Sequence, residues 1–275
     1  MRSKLFVPGA RPDFFDKALA GEADALSFDL EDSVPDNGKA SARERLVEFL
    51  RSERVAASDK VMIVRINALD TAHARNDLAM LGGLADRLTI NLPKVEDADT
   101  VRAAAAMTSA RLLLNIETPK GLRNAAEIAG AHPHVAGLQI GLNDLLASLR
   151  CERSQRDAVH SVLWQVRLAA GEAGCLAYDG AWPDLGDEKG FRAEAEHARS
   201  LGYLGKSCIH PRQVPIANAI FARHGGVEEA QRLLVVAKAA EREGRGAFLF
   251  EGRMIDRPAI EEARATLRAA GRLNP

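Results

Sequence analysis

The sequence predicts a closed (β/α)8 barrel, a TIM barrel, carrying a C-terminal helical extension of the kind that forms a lid. Three observations lead there. Short apolar runs rich in β-formers recur along the chain, and each is followed by a longer stretch rich in Ala, Arg and Glu with apolar residues at helical spacing. Eight such units fit within 275 residues. Strands that alternate with helices and are buried on both faces belong to a parallel sheet. An open doubly wound sheet is the rival, but it usually carries a Gly-rich first turn, and no GxGxxG follows any strand.

In chain order the expected strands are Lys4–Pro8, Ala25–Leu30, Val61–Ile66, Arg87–Pro93, Arg111–Glu117, Ala136–Gly141, Cys175–Asp179 and Tyr203–Ile209. Between them the helical patterns are Pro12–Ala20, Lys39–Leu50, Ala74–Leu84, Ala98–Thr108, Gly121–Ala129, Ser154–Ala170 and Gly190–Ser200. The last strand ends at His210-Pro211, which places the barrel in residues 1–212 and the extension in 213–275. Within the extension the expected elements are helices over Gln213–Arg223 and Val227–Glu243, an extended arm over Phe248–Asp256, and a final helix over Pro258–Ala270. The arm's Phe248, Phe250, Met254 and Ile255 follow the flexible Gly244-Arg245-Gly246 and pack either on their own barrel or on a neighbouring subunit.

Composition narrows the function classes. Hydrophobic residues make up 47% and charged residues 27%, ordinary for a soluble globular protein. The 37 Lys and Arg balance 38 Asp and Glu, so no global field draws the chain to nucleic acid or an anionic membrane. Cys151, Cys175 and Cys208 are odd in number and scattered, which argues against a disulfide framework or a Cys-rich zinc site. The apolar run Leu5-Phe6-Val7 is too short for a secretory signal, and a membrane span would need about 20 apolar residues. The expected location is cytoplasmic.

In a barrel of this kind chemistry sits at the C-terminal ends of the strands. There the chain places Asp29-Leu30-Glu31-Asp32, Arg65-Ile66-Asn67, Pro93-Lys94, Glu117-Thr118, Gly141-Leu142-Asn143-Asp144, Tyr178-Asp179 and Ser207-Cys208-Ile209-His210. Several of these have plainer roles open to them. Asp144 and Asp179 could cap the next helix, Asp29 and Asp32 could anchor their loop, Lys94 could stand in solvent, and His210 before a proline could be structural. Glu117 and Arg65 are more telling, because each closes an apolar run where a charge needs a partner. A rim holding both signs binds a charged ligand, a metal, or both. Carboxylates without clustered His or Cys suit Mg²⁺ or Mn²⁺ and argue against zinc, and Glu117 with Asp144 offers such a pair.

These residues also carry a family resemblance. Arg2-Ser3-Lys4-Leu5-Phe6-Val7-Pro8-Gly9 followed by Arg11-Pro12 resembles the opening of the citrate lyase β-subunit-like group of the HpcH/HpaI aldolase superfamily. In the same order follow Asp29-Leu30-Glu31-Asp32, Val64-Arg65-Ile66-Asn67, Leu92-Pro93-Lys94, Ile116-Glu117-Thr118, Gly141 to Asp144, Ile209-His210-Pro211-Arg212-Gln213, and Phe250-Glu251-Gly252-Arg253-Met254-Ile255-Asp256. The likeness spans nearly the whole chain and is specific for the family, much less so for the substrate.

The resemblance implies a Mg²⁺-dependent lyase that acts beside a coenzyme A thioester of malyl, citramalyl or citryl type, as a homo-oligomer and commonly a trimer. By the same likeness Glu117 and Asp144 hold the metal, and Arg65 grips the substrate carboxylate with Asp29 and Asp32 beside it. Arg11 and Lys17 lie near the coenzyme A phosphates, and Asp256, carried by the tail over a neighbour's site, is the acid/base. The expected reaction is retro-Claisen cleavage of (3S)-citramalyl-CoA to acetyl-CoA and pyruvate. The alternatives are a malyl-CoA lyase, a subunit acting on a carrier-bound thioester, and a CoA-free pyruvate aldolase. Two departures bear on the loop after the sixth strand: Asn143 stands where many relatives carry Glu or Ala, and Cys151-Glu152-Arg153 where Gly is usual.

Overall fold

In the computed structural model, which describes residues 1–222 and 226–269, the chain divides into two compact units, Met1–Phe221 and Ala222–Pro275. The first is a closed barrel of parallel strands in sequential order: β1 (Ser3–Pro8), β2 (Ala25–Asp29), β3 (Val61–Arg65), β4 (Leu88–Leu92), β5 (Arg111–Ile116), β6 (Val135–Ile140), β7 (Leu176–Ala181) and β8 (Lys206–Cys208). Closure is made by β1 against β8, with Leu5 opposite Cys208. The eightfold barrel read from the sequence is therefore present, each strand at its expected place.

The connecting helices are α1 (Phe15–Ala20, after a 3-10 turn over Pro12–Phe14), α2 (Lys39–Leu50), α3 (Glu53–Ala56), α4 (Ala72–Leu81), α5 (Ala98–Met107), α6 (Pro119–Arg123), α7 (Ala125–Ala129), α8 (Leu142–Ser148), α9 (Arg156–Glu172), α10 (Glu188–Ser200) and α11 (Gln213–Ile220). Two expectations change. The single helix over Gly121–Ala129 breaks into α6 and α7 at Asn124, whose side chain leaves the helix to donate to the carbonyl of Glu96 at 2.9 Å. The helix ending at Leu84 stops at Leu81, and Gly82-Gly83 opens a 3-10 segment instead.

Strand alternation sorts side chains by face. Leu26, Phe28, Met62, Val64, Ile90, Leu92, Leu112, Leu114, Ile116, Leu138 and Ile140 join the main hydrophobic core with the helices. There Phe28 meets Phe15 edge-on at 5.1 Å and Phe49 at 5.6 Å. The alternate residues face the barrel axis and change character along it. Ala25, Ile63, Leu113 and Tyr178 form a separate apolar cluster. Further along the strands come the buried amides Asn91, Asn115 and Gln139, then Asp29, Arg65 and Glu117 where the strands end. The polar rim thus stands on an apolar floor.

α11 packs on α10, β1 and β8, so the barrel unit runs to Phe221 and past the expected boundary at Arg212/Gln213. In the second unit, α12 (Gly226–Arg242) and α13 (Arg257–Ala269) flank an antiparallel hairpin of β9 (Phe248–Phe250) and β10 (Arg253–Ile255). The expected helix ends at Arg223 and Ala270 lie outside the described residues. Glu251 and Gly252 join the two strands with φ of 48° and 79°, the positive pair that a tight I′ hairpin turn requires. Phe248, Phe250 and Ile255 turn into this unit's own core with Leu233, Ala237 and Leu267. Leu249 and Met254, opposite each other in register, remain exposed. No helix among the described residues is long and apolar enough to cross a membrane.

Candidate active site

One cavity of about 400 Å³ opens at the strand ends and is lined by Asp29, Asp32, Arg65, Asn115, Glu117, Gln139 and Asp144, with Phe6, Pro8 and Ile209 at its side. Five of the residues singled out in the sequence are therefore brought together: Asp29, Asp32, Arg65, Glu117 and Asp144. It is smaller than two neighbours, an apolar groove of about 590 Å³ beside β1 and a hollow of about 550 Å³ between α9 and α10, but it gathers the rim's charges.

Arg65 closes β3 with its side chain only 12% exposed, so its charge must be matched. Asp29 matches it side-on, with Nε to Oδ1 at 2.7 Å and Nη2 to Oδ2 at 2.8 Å. Nη1 lies 2.9 Å from Glu31 and 3.4 Å from Asp32. Burial works against both charges of the Arg65–Asp29 pair, but their mutual bonds win, holding the Asp29 carboxyl below its ordinary range and raising Arg65. Asp29 also accepts the backbone N–H of Glu31 and Ser33, both at 3.0 Å. With four donors on two oxygens it anchors Arg65, and it also lines the cavity. A guanidinium has five N–H donors. Asp29 takes two, and Nη1 is ion-paired with Glu31 and Asp32, while Arg65 itself lines the cavity.

Glu117 follows β5 and is 3% exposed. Burial, with the nearby Glu31 and Asp144 carboxylates adding to it, pushes its carboxyl up to about 7 against the pull of the Lys94 N–H and Arg65. Its Oε1 accepts the backbone N–H of Lys94 at 2.7 Å. Lys94 holds φ at 50°, a left-handed backbone that is costly for a side-chain-bearing residue and here coincides with that bond. Oε2 accepts from Asn115 at 3.3 Å, and Asn115 in turn accepts from Asn91 at 2.8 Å. Gly141 stands where any Cβ would come within 2.4 Å of the Glu117 Cβ, so only glycine lets the carboxylate lie there. Asp144 lies in the first turn of α8, whose N-cap is Gly141 and makes no side-chain cap. The capping role open to it from sequence is not the one it takes.

Other residues take parts that the sequence reading did not assign them. Glu31 is buried between Arg65 and Lys94 Nζ, the latter at 2.8 Å. Lys94 is therefore an ion-pair partner and not a free surface charge. Lys4, wholly enclosed on β1, donates to Gln139 and lies 4.3 Å from the Phe6 ring; burial, with Arg65 adding to it, drives its ammonium well below the usual lysine range. Asn91, Asn115 and Gln139 interrupt apolar strands at alternate positions, and that period of two was the available signal. Asp179, also open to a capping role, is instead buried against Lys206 at 2.6 Å.

Lys17 lines the apolar groove with Phe14 and His210, and this groove shares Phe6, Pro8 and Ile209 with the polar cavity. Arg11 pairs with Asp13 at 2.7 Å and lies 4.1 Å from the Phe14 ring. Asp256 belongs to the second unit, exposed between β10 and α13, where its carbonyl accepts the N–H of Ile260 at 3.1 Å.

The donor set fits a hard divalent cation. Glu117 carries a charge that burial penalises and a cation would relieve, and Mg²⁺ takes one or two protein carboxylates with water and substrate oxygens completing its shell. Among the described residues no group of three or more His, Cys, Asp or Glu forms a complete metal cage, so such an ion would depend on its ligand for coordination.

A parallel barrel with charged side chains gathered at its strand ends has the build of an enzyme whose chemistry sits at that rim. The chain belongs to the HpcH/HpaI aldolase/citrate lyase family, whose model matches residues 2–211. It is 39% identical over 273 residues to a (3S)-malyl-CoA thioesterase of Cereibacter sphaeroides, covering 98% of this chain and 94% of the relative. It is 37% identical over 284 residues to the citrate lyase subunit beta of Escherichia coli, covering 98% and 93%. Among solved structures it resembles CitE of Mycobacterium tuberculosis in complex with magnesium, acetoacetate and coenzyme A, with a TM-score of 0.76, 36% identity, and coverage of 98% of this chain and 100% of that one. Magnesium and coenzyme A, the two groups expected from the sequence, are both bound in that relative.

Proposed function

We propose that the protein is a Mg²⁺-dependent lyase that cleaves (3S)-citramalyl-CoA to acetyl-CoA and pyruvate, working in the cytoplasm as a homo-oligomer, specifically a trimer. The observation that carries this reading is the pairing of Glu117 and Asp144 with Arg65 in one polar cavity that adjoins an apolar groove. A small anionic head fits the first and a long thioester arm the second.

Bound to Glu117 and Asp144, the cation would polarise the carboxylate and hydroxyl oxygens of the head group. Arg65, which lines the cavity, would hold that carboxylate by charge-assisted hydrogen bonds, and Asp29 keeps the guanidinium from turning. Lys17, on the groove wall, and Arg11, stacked on Phe14, meet the coenzyme A phosphates. In the reaction a general base or a water molecule takes the hydroxyl proton, and the oxygen becomes the keto oxygen of pyruvate. The carbon–carbon bond breaks, and its electron pair passes to the carbon beside the thioester. Asp256, supplied by a neighbouring subunit, gives that carbon its proton to complete acetyl-CoA, a role that contributes typically about 10²–10⁴-fold. Malyl-CoA lacks one methyl group, a difference worth only about 1–3 kcal/mol in a pocket, and is the next substrate in line.

A second reading, thioester hydrolysis, is favoured by the 39% identity to a malyl-CoA thioesterase. One experiment separates the two: citramalyl-, malyl- and citryl-CoA incubated with the purified chain, with Mg²⁺ or with EDTA. Lyase action releases keto acid and no free thiol; hydrolysis releases free thiol and no keto acid. If every thioester stays intact with Mg²⁺ present, the proposal is wrong.

A further inference from the structure

The turn that presents Asp144 is braced from behind. α8 spans only Leu142–Ser148 and begins on an uncapped glycine. So short a helix has little stability of its own, and the place of Asp144 depends on what its first turn touches. Arg153 touches it, donating from Nη1 to Oδ1 of Asn143.

Arg153 lies in the connection between α8 and α9, and it is itself clamped. Nε and Nη2 donate to the two carboxylate oxygens of Glu194 at 2.8 and 2.6 Å. Nη2 also donates to the carbonyl of Ala181, where β7 ends, at 2.9 Å, and the guanidinium lies 4.8 Å from the Trp182 ring. Glu194 of α10 is bound by Lys206 Nζ at 2.7 Å, and Lys206 by Asp179 at 2.6 Å, with the last two side chains wholly buried. A chain of matched charges therefore runs from the barrel wall, through Glu194 and Arg153, to the residue preceding Asp144.

We propose that Arg153 is a positioning residue: acting through Asn143, it fixes the first turn of α8 and so sets the affinity of the Glu117–Asp144 pair for a divalent cation. This rests on the cation site proposed above. Outer-shell hydrogen bonds of this kind change metal affinity by about 10–100-fold.

Mn²⁺ binding to the full chain, followed by electron paramagnetic resonance, tests it in the parent, Asn143→Ala, Arg153→Ala and the double variant, with Glu117→Gln as reference. Each single variant should weaken Mn²⁺ about tenfold, and the double should be no weaker than the singles, because both remove one link. A merely structural Arg153 would give effects that multiply in the double variant, and that outcome overturns the proposal. So does Asn143→Ala binding Mn²⁺ within about twofold of the parent. Asn143 is exposed, so its variant decides the matter even if Arg153→Ala fails to fold. A parent that binds no Mn²⁺, or a Glu117→Gln variant that binds it equally well, brings down the cation site itself and this inference with it.

Discussion

Glu117 is where function and stability oppose each other. Its carboxyl stands near 7 in the fold against an ordinary value of 4.5. A raised carboxyl favours the fold below its unfolded pKa, and that advantage is lost as pH climbs through the folded one. Between pH 4.5 and 7 the cation-free protein should therefore lose about 3 kcal/mol on this account. Glu117→Gln removes the titration but sets its amide against Asn115, which returns about 1 kcal/mol. Without added metal the variant should be more stable than the parent at pH 8, by about 2 kcal/mol, and no more stable at pH 4.5. Urea melts at the two pH values check this; equal gains at both would show that Glu117 is not held protonated by burial.

Among the elements, the hairpin and α13 flank one exposed carboxylate, Asp256. Phe248, Phe250 and Ile255 anchor the hairpin to its own helices, correcting the expectation that these side chains pack on the barrel or on a neighbour. Asp256 is exposed between β10 and α13. A group so placed contributes little to folding, and we propose a chemical use for it. Asp256→Asn should cut turnover about 10²–10⁴-fold while substrate affinity and Mn²⁺ affinity stay within a few-fold of the parent. A matched loss of affinity and turnover would make Asp256 a binding residue and not the proton donor.

For the whole molecule the question is which chain supplies Asp256 to which cavity. If the site is shared between subunits, Asp256→Ala and Arg65→Ala chains are each inactive alone but complement each other in a mixed oligomer, where some sites receive an intact Arg65 from one chain and an intact Asp256 from another. Co-expressed with different tags and purified through both, such oligomers should recover part of the parent's activity. Verified mixed oligomers without recovery would place both residues in a single chain's site.

What the residues determined locally was legible without coordinates. The periods of two and 3.6 in the apolar pattern marked all the strands and most helices, and strand ends named Arg65, Glu117 and Asp144 because a barrel displays whatever stands there. Closure decided the rest. Arg65 meets Asp29 from another strand, Glu31 sits between Arg65 and Lys94, and Glu194 of α10 bridges Arg153 to Lys206. Such pairs are far apart in sequence and leave no periodic trace, since their geometry exists only once the sheet has curved shut. The same holds for protonation: whether Glu117 keeps its proton depends on how deeply its neighbours bury it, and burial is a property of the packed molecule and not of the chain.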